Sequence, residues 1–250
     1  MKILPKVAIL AGGFGKRLRP LTEETPKPMV KVAGYPIILW QIMLFKSYGY
    51  RDFVILAGYR WEKIVEGLGS GRKLGVRIAY VVEDEPLGTG GAIKNAEHVL
   101  KGEDYFVVAN GDIITNINLQ PLVEKVLSSD AVGGIALVNL RSPYGVVEVD
   151  EGGFIREFKE KPVLDYKINA GIYVFKQQIF SYLPPKGDIE KTAFPRLASE
   201  RKLIGVTYNN VYWRSIDTLK DLEEASEYLS KADWARRLIE FAGAPQETSS

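Results

Sequence analysis

Cysteine is absent from the 250 residues, which excludes disulfides, thiolate nucleophiles and zinc–sulfur sites. Histidine is almost absent: His98 is the only one, set in the polar helical stretch AIKNAEHVLKGED, where it reads as a solvated residue. A histidine-dependent catalytic triad is therefore not expected. An excess of one charge is also missing, because 33 Lys and Arg against 31 Asp and Glu leave a formal charge of +2. Neither nucleic acid nor an anionic membrane is expected as a partner of so balanced a chain. No apolar run approaches the ~20 residues of a membrane helix. The apolar start VAILAGG is too short for a signal peptide and runs directly into Lys16 and Arg17. Together these absences predict a cytoplasmic protein.

What is abundant is glycine placed for phosphate chemistry. The run VAIL leads into Ala11-Gly12-Gly13-Phe14-Gly15-Lys16-Arg17-Leu18-Arg19, and Pro26-Lys27-Pro28 follows. A buried strand that delivers such a loop lets backbone N–H groups reach anionic oxygens that a Cβ would hold away. Lys16, Arg17 and Arg19 add charge, and the two prolines restrict the backbone around Lys27. A site for a polyphosphate is the expectation. It is not a Walker A loop, since Arg17 stands where that loop needs a hydroxyl after its lysine. Nor is it a dinucleotide fingerprint, because Gly13 and Gly15 are followed by Leu18 rather than a third glycine.

Apolar strand-like runs at 7–10, 53–57, 76–82 and 105–109 alternate with helix-patterned segments at 37–48, 61–67 and 90–100. Such alternation predicts an α/β fold: a single Rossmann-like domain with a mostly parallel central sheet and helices on both faces. In these sheets ligands sit beyond the carboxyl ends of the strands. Both the glycine loop and Asn110-Gly111-Asp112 fall there. The second half reads as added antiparallel strands at 131–139, 145–149, 154–158 and 168–175, with helices at 189–200, 219–230 and 233–241. The expected domain covers 1–242, and 243–250 is expected to be a flexible polar tail.

The stretch LAGGFGKRLRPLTEETPKPMVKVAGYPI resembles, almost residue for residue, the opening signature of the sugar-nucleotide pyrophosphorylases, the hexose-1-phosphate nucleotidylyltransferases. It departs at Lys16, where members usually carry threonine or serine. The resemblance implies transfer of a nucleotidyl group from a nucleoside triphosphate to a sugar 1-phosphate, with Mg²⁺ as cofactor. It implies catalytic roles for Arg17, Lys27, Asp112 and Lys161. Leu10, Ala11, Gly12, Gly13, Gly15, Lys16, Glu83, Gly88 and Thr89 join Arg17, Lys27 and Asp112 around the nucleotide. Glu160-Lys161-Pro162, Asn169-Ala170-Gly171 and Tyr144-Gly145 resemble the sugar-contacting segments, which assigns Gly111, Gly145, Glu160, Lys161, Asn169 and Gly171 to the sugar phosphate. Asp112 matches the metal aspartate of the family. The second metal carboxylate usually lies two residues after a tryptophan, but here Ser215 follows Trp213 at that spacing and Asp217 stands two further on. Asp217 is a metal candidate and equally a candidate for the turn that opens the next helix. Some members of the family carry a further domain after the catalytic part, which this chain is expected to lack, and a homo-oligomer is left open.

Pro86-Leu87-Gly88-Thr89-Gly90-Gly91-Ala92 resembles the base-binding loop and is preceded by Glu83. A carboxylate can accept both adjacent donors of guanine, whereas thymine or uracil, with one donor between two acceptors, suits an amide better. The expected substrates are GTP with mannose 1-phosphate or a related sugar, and the LGTGGA form is similar to mannose- and heptose-1-phosphate guanylyltransferases. UTP or dTTP with glucose 1-phosphate is the alternative. A non-catalytic paralogue that binds nucleotide-sugars is a second rival, suggested by Lys16 and Ser215. A glycosyltransferase ranks last, because Asp112 is followed by Ile113-Ile114 instead of a second carboxylate.

Overall fold

The computed structural model describes residues 4–243. The chain begins with β1 (Val7–Ala11), a glycine loop, the short pair β2 (Lys31–Val32) and β3 (Tyr35–Pro36), and α1 (Ile37–Ser47). It continues through β4 (Asp52–Ala57), α2 (Trp61–Leu68), β5 (Arg77–Val82), α3 (Gly88–Asn95), α4 (Glu97–Leu100), β6 (Tyr105–Asn110), β7 (Ile113–Thr115) and α5 (Gln120–Leu127). The second half contributes β8 (Gly133–Arg141), β9 (Val146–Val149), β10 (Ile155–Lys159), β11 (Val163–Lys176) and α6 (Ala193–Ser199). After these come β12 (Leu203–Thr207), β13 (Trp213–Ser215), α7 (Leu219–Lys231) and α8 (Asp233–Ala242).

Seven strands form one sheet in the order β12-β8-β11-β6-β1-β4-β5. β11 pairs antiparallel with both β6 and β8, and every other pairing in that sheet is parallel. The predicted parallel α/β architecture is therefore present. β1 is an interior strand, with β4 on one side and β6, the central strand, on the other. The chain leaves β1 toward β4 and β5, then returns to lay β6 on the opposite flank. This reversal of direction opens a crevice at the carboxyl ends of β1 and β6.

Alternation along β1 explains the two-sided core. Val7, Ile9 and Ala11 pack with Ile38, Ile42 and Phe45 of α1, Ile64 of α2 and Leu122 of α5. Ala8, between them, faces the other layer with Ile93 of α3, Leu100 of α4, and Phe194 and Leu197 of α6. Successive strand residues point to opposite faces, so a strand apolar throughout is the signature of a doubly covered sheet. A third cluster lies outside α1, where Trp40 and Leu44 meet Ala225 and Leu229 of α7 and Ala235 and Leu238 of α8.

The expected helix at 90–100 is two helices, interrupted at Ala96 (φ −87°, ψ 5°). The expected helix at 189–200 starts only at Ala193. Residues just before it are committed elsewhere, because the N–H of Ile189 donates to Thr89 Oγ1 at 2.9 Å. β12, which pairs with β8 from Leu203 opposite Gly133, has no counterpart in the sequence reading. Gly243 is the left-handed cap of α8, and the rest of the expected tail lies outside the described residues. Among the described residues no helix is long and apolar enough to cross a membrane.

Candidate nucleotide and metal site

A cavity of about 280 Å³ opens at the crevice between β1 and β6. Leu10, Ala11, Gly12, Gly13 and Lys27 line one side, Glu83, Gly88 and Thr89 another, and Asn110, Gly111 and Asp112 the floor. Ten of the residues expected at the nucleotide or the sugar phosphate thus share one hollow. The glycine loop is anchored from outside by Tyr59, whose hydroxyl donates to the Glu23 carbonyl at 2.9 Å and whose ring meets Phe14 at 5.2 Å between centroids. Thr22, fully buried, donates to the Gly15 carbonyl at 2.9 Å and holds the loop closed from within.

The floor requires Gly111. Its N–H donates to the Leu10 carbonyl at 2.8 Å, and a Cβ there would run into that same carbonyl group. The backbone of β6 can therefore turn across the end of β1 only at a glycine, and the turn delivers Asp112 to the crevice. Gln41 holds the turn from beneath. Its amide nitrogen donates to the Asn110 carbonyl at 2.5 Å and the Ile113 carbonyl at 2.9 Å. This residue escaped the sequence reading, although a lone polar side chain inside IILWQIMLF was the signal.

The central feature is an ammonium between two carboxylates. Lys27 Nζ donates to Asp112 Oδ2 at 2.6 Å and to Asp217 Oδ1 at 2.7 Å. Arg17 Nη2 reaches the same Asp217 oxygen at 2.8 Å from the solvent side. Asp217 arrives there because β13 pairs antiparallel with β7, Ser215 opposite Ile113, and the Ile216 N–H donates to the Asp112 carbonyl at 2.9 Å. Ser215, at the position where a carboxylate was expected, donates its hydroxyl to Asp217 Oδ2 at 2.7 Å. The role of helix cap falls to Thr218, which forms a reciprocal capping box with Asp221 at the start of α7. Burial by itself would push the Asp217 carboxyl up, but the Lys27 and Ser215 hydrogen bonds outweigh it and hold the group below the ordinary carboxylate range.

Two carboxylates meeting at one point, with the glycine-rich backbone after β1 beside them, suit a hard divalent ion such as Mg²⁺. That ion is commonly held by one or two carboxylates together with substrate phosphates and water. Among the described residues no group of three or more His, Cys, Asp or Glu is gathered for a metal.

At the far end of the hollow, burial pushes the Glu83 carboxyl up, partly offset by the Leu87 N–H that it accepts at 3.3 Å. The carboxylate lies against the backbone of Gly12 and Gly58, where a Cβ on either would collide with it. The glycines of the LGTGG loop have a different explanation from a flat resting place for a base. Gly88 has φ +74°, and a Cβ on it would approach the Gly187 backbone to 2.7 Å. The Gly187 carbonyl in turn accepts the N–H groups of Gly90 and Gly91 at 2.9 and 3.1 Å. Thr89 is spent internally as well, donating to Glu190 Oε2 at 2.6 Å. Asp188, which this packing brings to the cavity wall, has no counterpart in the sequence reading.

Gly111 apart, the residues expected at the sugar phosphate lie away from the cavity lining. Asn169 is tied up in a bulge of β11, its amide nitrogen donating to the Tyr173 hydroxyl at 2.9 Å and its carbonyl oxygen accepting the Gly171 N–H at 2.7 Å. Gly145, Glu160 and Lys161 flank the exposed β9–β10 ribbon, with Lys161 Nζ 3.6 Å from its neighbour Glu160. Lys16 is exposed, its ammonium 5.7 Å from the Phe14 ring centroid.

The family described as Nucleotidyl transferase matches residues 6–232. The catalytic subunit beta of mannose-1-phosphate guanylyltransferase from Drosophila melanogaster is 36% identical over 223 residues, which cover 86% of this chain and 60% of that protein. This chain thus spans about three fifths of that relative's length. A Bacillus anthracis structure described as a glucose-1-phosphate thymidylyltransferase in complex with sucrose aligns with a TM-score of 0.75 and 26% identity, over 94% of this chain and 99% of the other. HddC from Yersinia pseudotuberculosis, complexed with GMP-PN, aligns with a TM-score of 0.71 and 26% identity over 90% of this chain and 99% of its own. Matched along nearly its whole described length, the chain belongs to the nucleotidyl transferase family.

Proposed function

We propose that this chain transfers a nucleotidyl group from a nucleoside triphosphate to a sugar 1-phosphate, with GTP and mannose 1-phosphate as the preferred pair. The observation that carries the reading is the convergence of Lys27, Asp112 and Asp217 beside a glycine-lined hollow at the ends of parallel strands. In the proposed reaction a phosphate oxygen of the sugar 1-phosphate forms a bond to the α-phosphorus. The bond from that phosphorus to the bridging oxygen of the β-phosphate breaks, and pyrophosphate leaves with the electron pair. Such a transfer needs alignment and cations aimed at the growing charge more than covalent help. Asp112 and Asp217 would hold Mg²⁺, which when bound would neutralise charge on the phosphates. Lys27 would turn its ammonium to the α-phosphate, and Arg17, exposed at the rim, would meet the departing pyrophosphate. The backbone N–H groups after Ala11 would cradle the phosphates. Glu83 would accept the paired donors of guanine. Lys161 and Glu160 would come to the sugar phosphate on the β9–β10 ribbon, and residues 1–242 would form the catalytic unit.

The guanine preference draws on Glu83 and on the guanylyltransferase names of the curated relatives; the thymidylyltransferase neighbour keeps dTTP or UTP with glucose 1-phosphate as the second pair to assay. Against a binding-only paralogue stands Asp217, which offers a second carboxylate despite Ser215. Pyrophosphate release, measured with Mg²⁺ across each nucleoside triphosphate and a panel of sugar 1-phosphates, tests the proposal. GTP with mannose 1-phosphate should give the highest kcat/KM, and silence across the panel would overturn the enzymatic reading.

A further inference from the structure

We propose that the Lys27 ammonium is a built-in placeholder for the divalent cation, holding Asp112 and Asp217 together until a metal–nucleotide complex displaces it. The inference rests on the proposed role of those two carboxylates as metal ligands. It adds that metal and lysine exclude one another, and that the nucleotide makes the exchange possible.

The geometry is that of a cation site with the cation supplied by the chain. One nitrogen touches one oxygen from each carboxylate, at 2.6 and 2.7 Å. The Lys27 side chain is only 12% exposed, against 31% for Asp112 and 23% for Asp217, so the ammonium is the most enclosed member of the trio. Its backbone is fixed between Pro26 and Pro28 at a short 3₁₀ turn, so the side chain alone can swing. Two carboxylates this close repel one another unless a cation lies between them. The second cation, Arg17, sits outside on Asp217 with its side chain 72% exposed and does not reach Asp112 in any contact among the described residues.

A free divalent ion approaching this site must break two charge-assisted hydrogen bonds and displace the ammonium from both carboxylates. A nucleotide changes that. Its phosphates would give Lys27 a new anionic partner, while Asp112 and Asp217 would hold the divalent ion that comes with it. The charge beside Asp112 and Asp217 is never uncompensated, and the metal enters with the nucleotide rather than ahead of it.

Mn²⁺ alone, counted by electron paramagnetic resonance on the nucleotide-free full chain, reads this directly. Lys27→Met should bind Mn²⁺ at least tenfold more tightly than the unchanged protein, and the gain should vanish in the Lys27→Met, Asp112→Asn double variant. Equal affinity of the unchanged protein and Lys27→Met, with Asp112→Asn weakening both, would overturn the placeholder while leaving the metal site intact. If Asp112→Asn alters Mn²⁺ binding neither with GTP present nor without it, the metal reading itself falls. Circular dichroism reports whether Lys27→Met folds. A second measurement needs no such variant: the ¹⁵N ammonium resonance of Lys27, assigned by its loss in Lys27→Arg, should move when GTP and Mg²⁺ are added together. An ammonium signal unmoved by bound GTP and Mg²⁺ would overturn the proposal.

Discussion

At the scale of single residues, Asp112 and Asp217 carry the sharpest expectations. Asp112→Asn should lower kcat by at least about a hundredfold, since it removes charge from a ligand acting on the transferring phosphoryl group; near-normal turnover at saturating Mg²⁺ would refute its assignment. Asp217→Asn should raise the Mg²⁺ requirement sharply while Ser215→Asp does little, because the Ser215 hydroxyl already orients Asp217. The reverse pattern would mean that the site is merely depleted. Glu83 makes a pH prediction. Burial raises its pKa, so its carboxylate is lost on acidification at a higher pH than an ordinary glutamate's. GTP affinity should weaken as the pH falls through that raised value, and Glu83→Gln should abolish the step and cost guanine roughly tenfold or more of its advantage over uracil, about 1.4 kcal/mol. The stability effect has the opposite sign. A raised folded-state pKa favours folding below the ordinary carboxylate range and loses that contribution as the pH rises through it. Glu83→Gln should therefore flatten stability against pH, as measured by chemical denaturation from pH 4 to 8.

At the scale of elements, the loop before α3 shows how a motif that resembles a binding loop can also be a packing joint. Gly88→Ala would place a Cβ in left-handed backbone and against Gly187. The left-handed conformation alone costs roughly 1–2 kcal/mol, and the collision adds to it. An unfolding midpoint lowered by less than about 2 °C, where roughly 2–4 °C per kcal/mol is expected at this size, would show that the joint gives way easily. The same joint marks the limit of what was legible in the sequence. β1, β4, β5 and β6 could be read because local apolar runs report burial on both faces. Asp112 could be read because a strand end and a glycine are adjacent in sequence. What joins Thr89 to Glu190, or Ser215 to Ile113, is long-range pairing that leaves no local period. From sequence Asp217 fits a metal ligand and a helix-opening turn equally, because what carries it to Asp112 is the antiparallel pairing of β13 with β7, which no local pattern reports.

At the scale of the whole molecule, the crevice exists only when distant stretches of chain are assembled together. Lys27 is 85 residues from Asp112 and 190 from Asp217, and one ammonium ties all three. The hollow takes further walls from Glu83, Thr89 and Asp188. No partly folded form can offer this set of contacts, so the free energy of binding adds to that of folding. GTP with Mg²⁺ at a hundred times its Kd should contribute about 2.7 kcal/mol, or roughly 5–10 °C of midpoint for a chain of this size. GTP with a chelator should give less, since the phosphates would then face Asp112 and Asp217 without a metal between them. Mg²⁺ alone should give almost nothing, because the ammonium already joins the two carboxylates. Differential scanning fluorimetry in these three conditions separates the contributions. A midpoint raised as far by Mg²⁺ alone as by Mg²⁺ with GTP would mean that the nucleotide adds no stabilisation of its own, and that the crevice is not the shared site described.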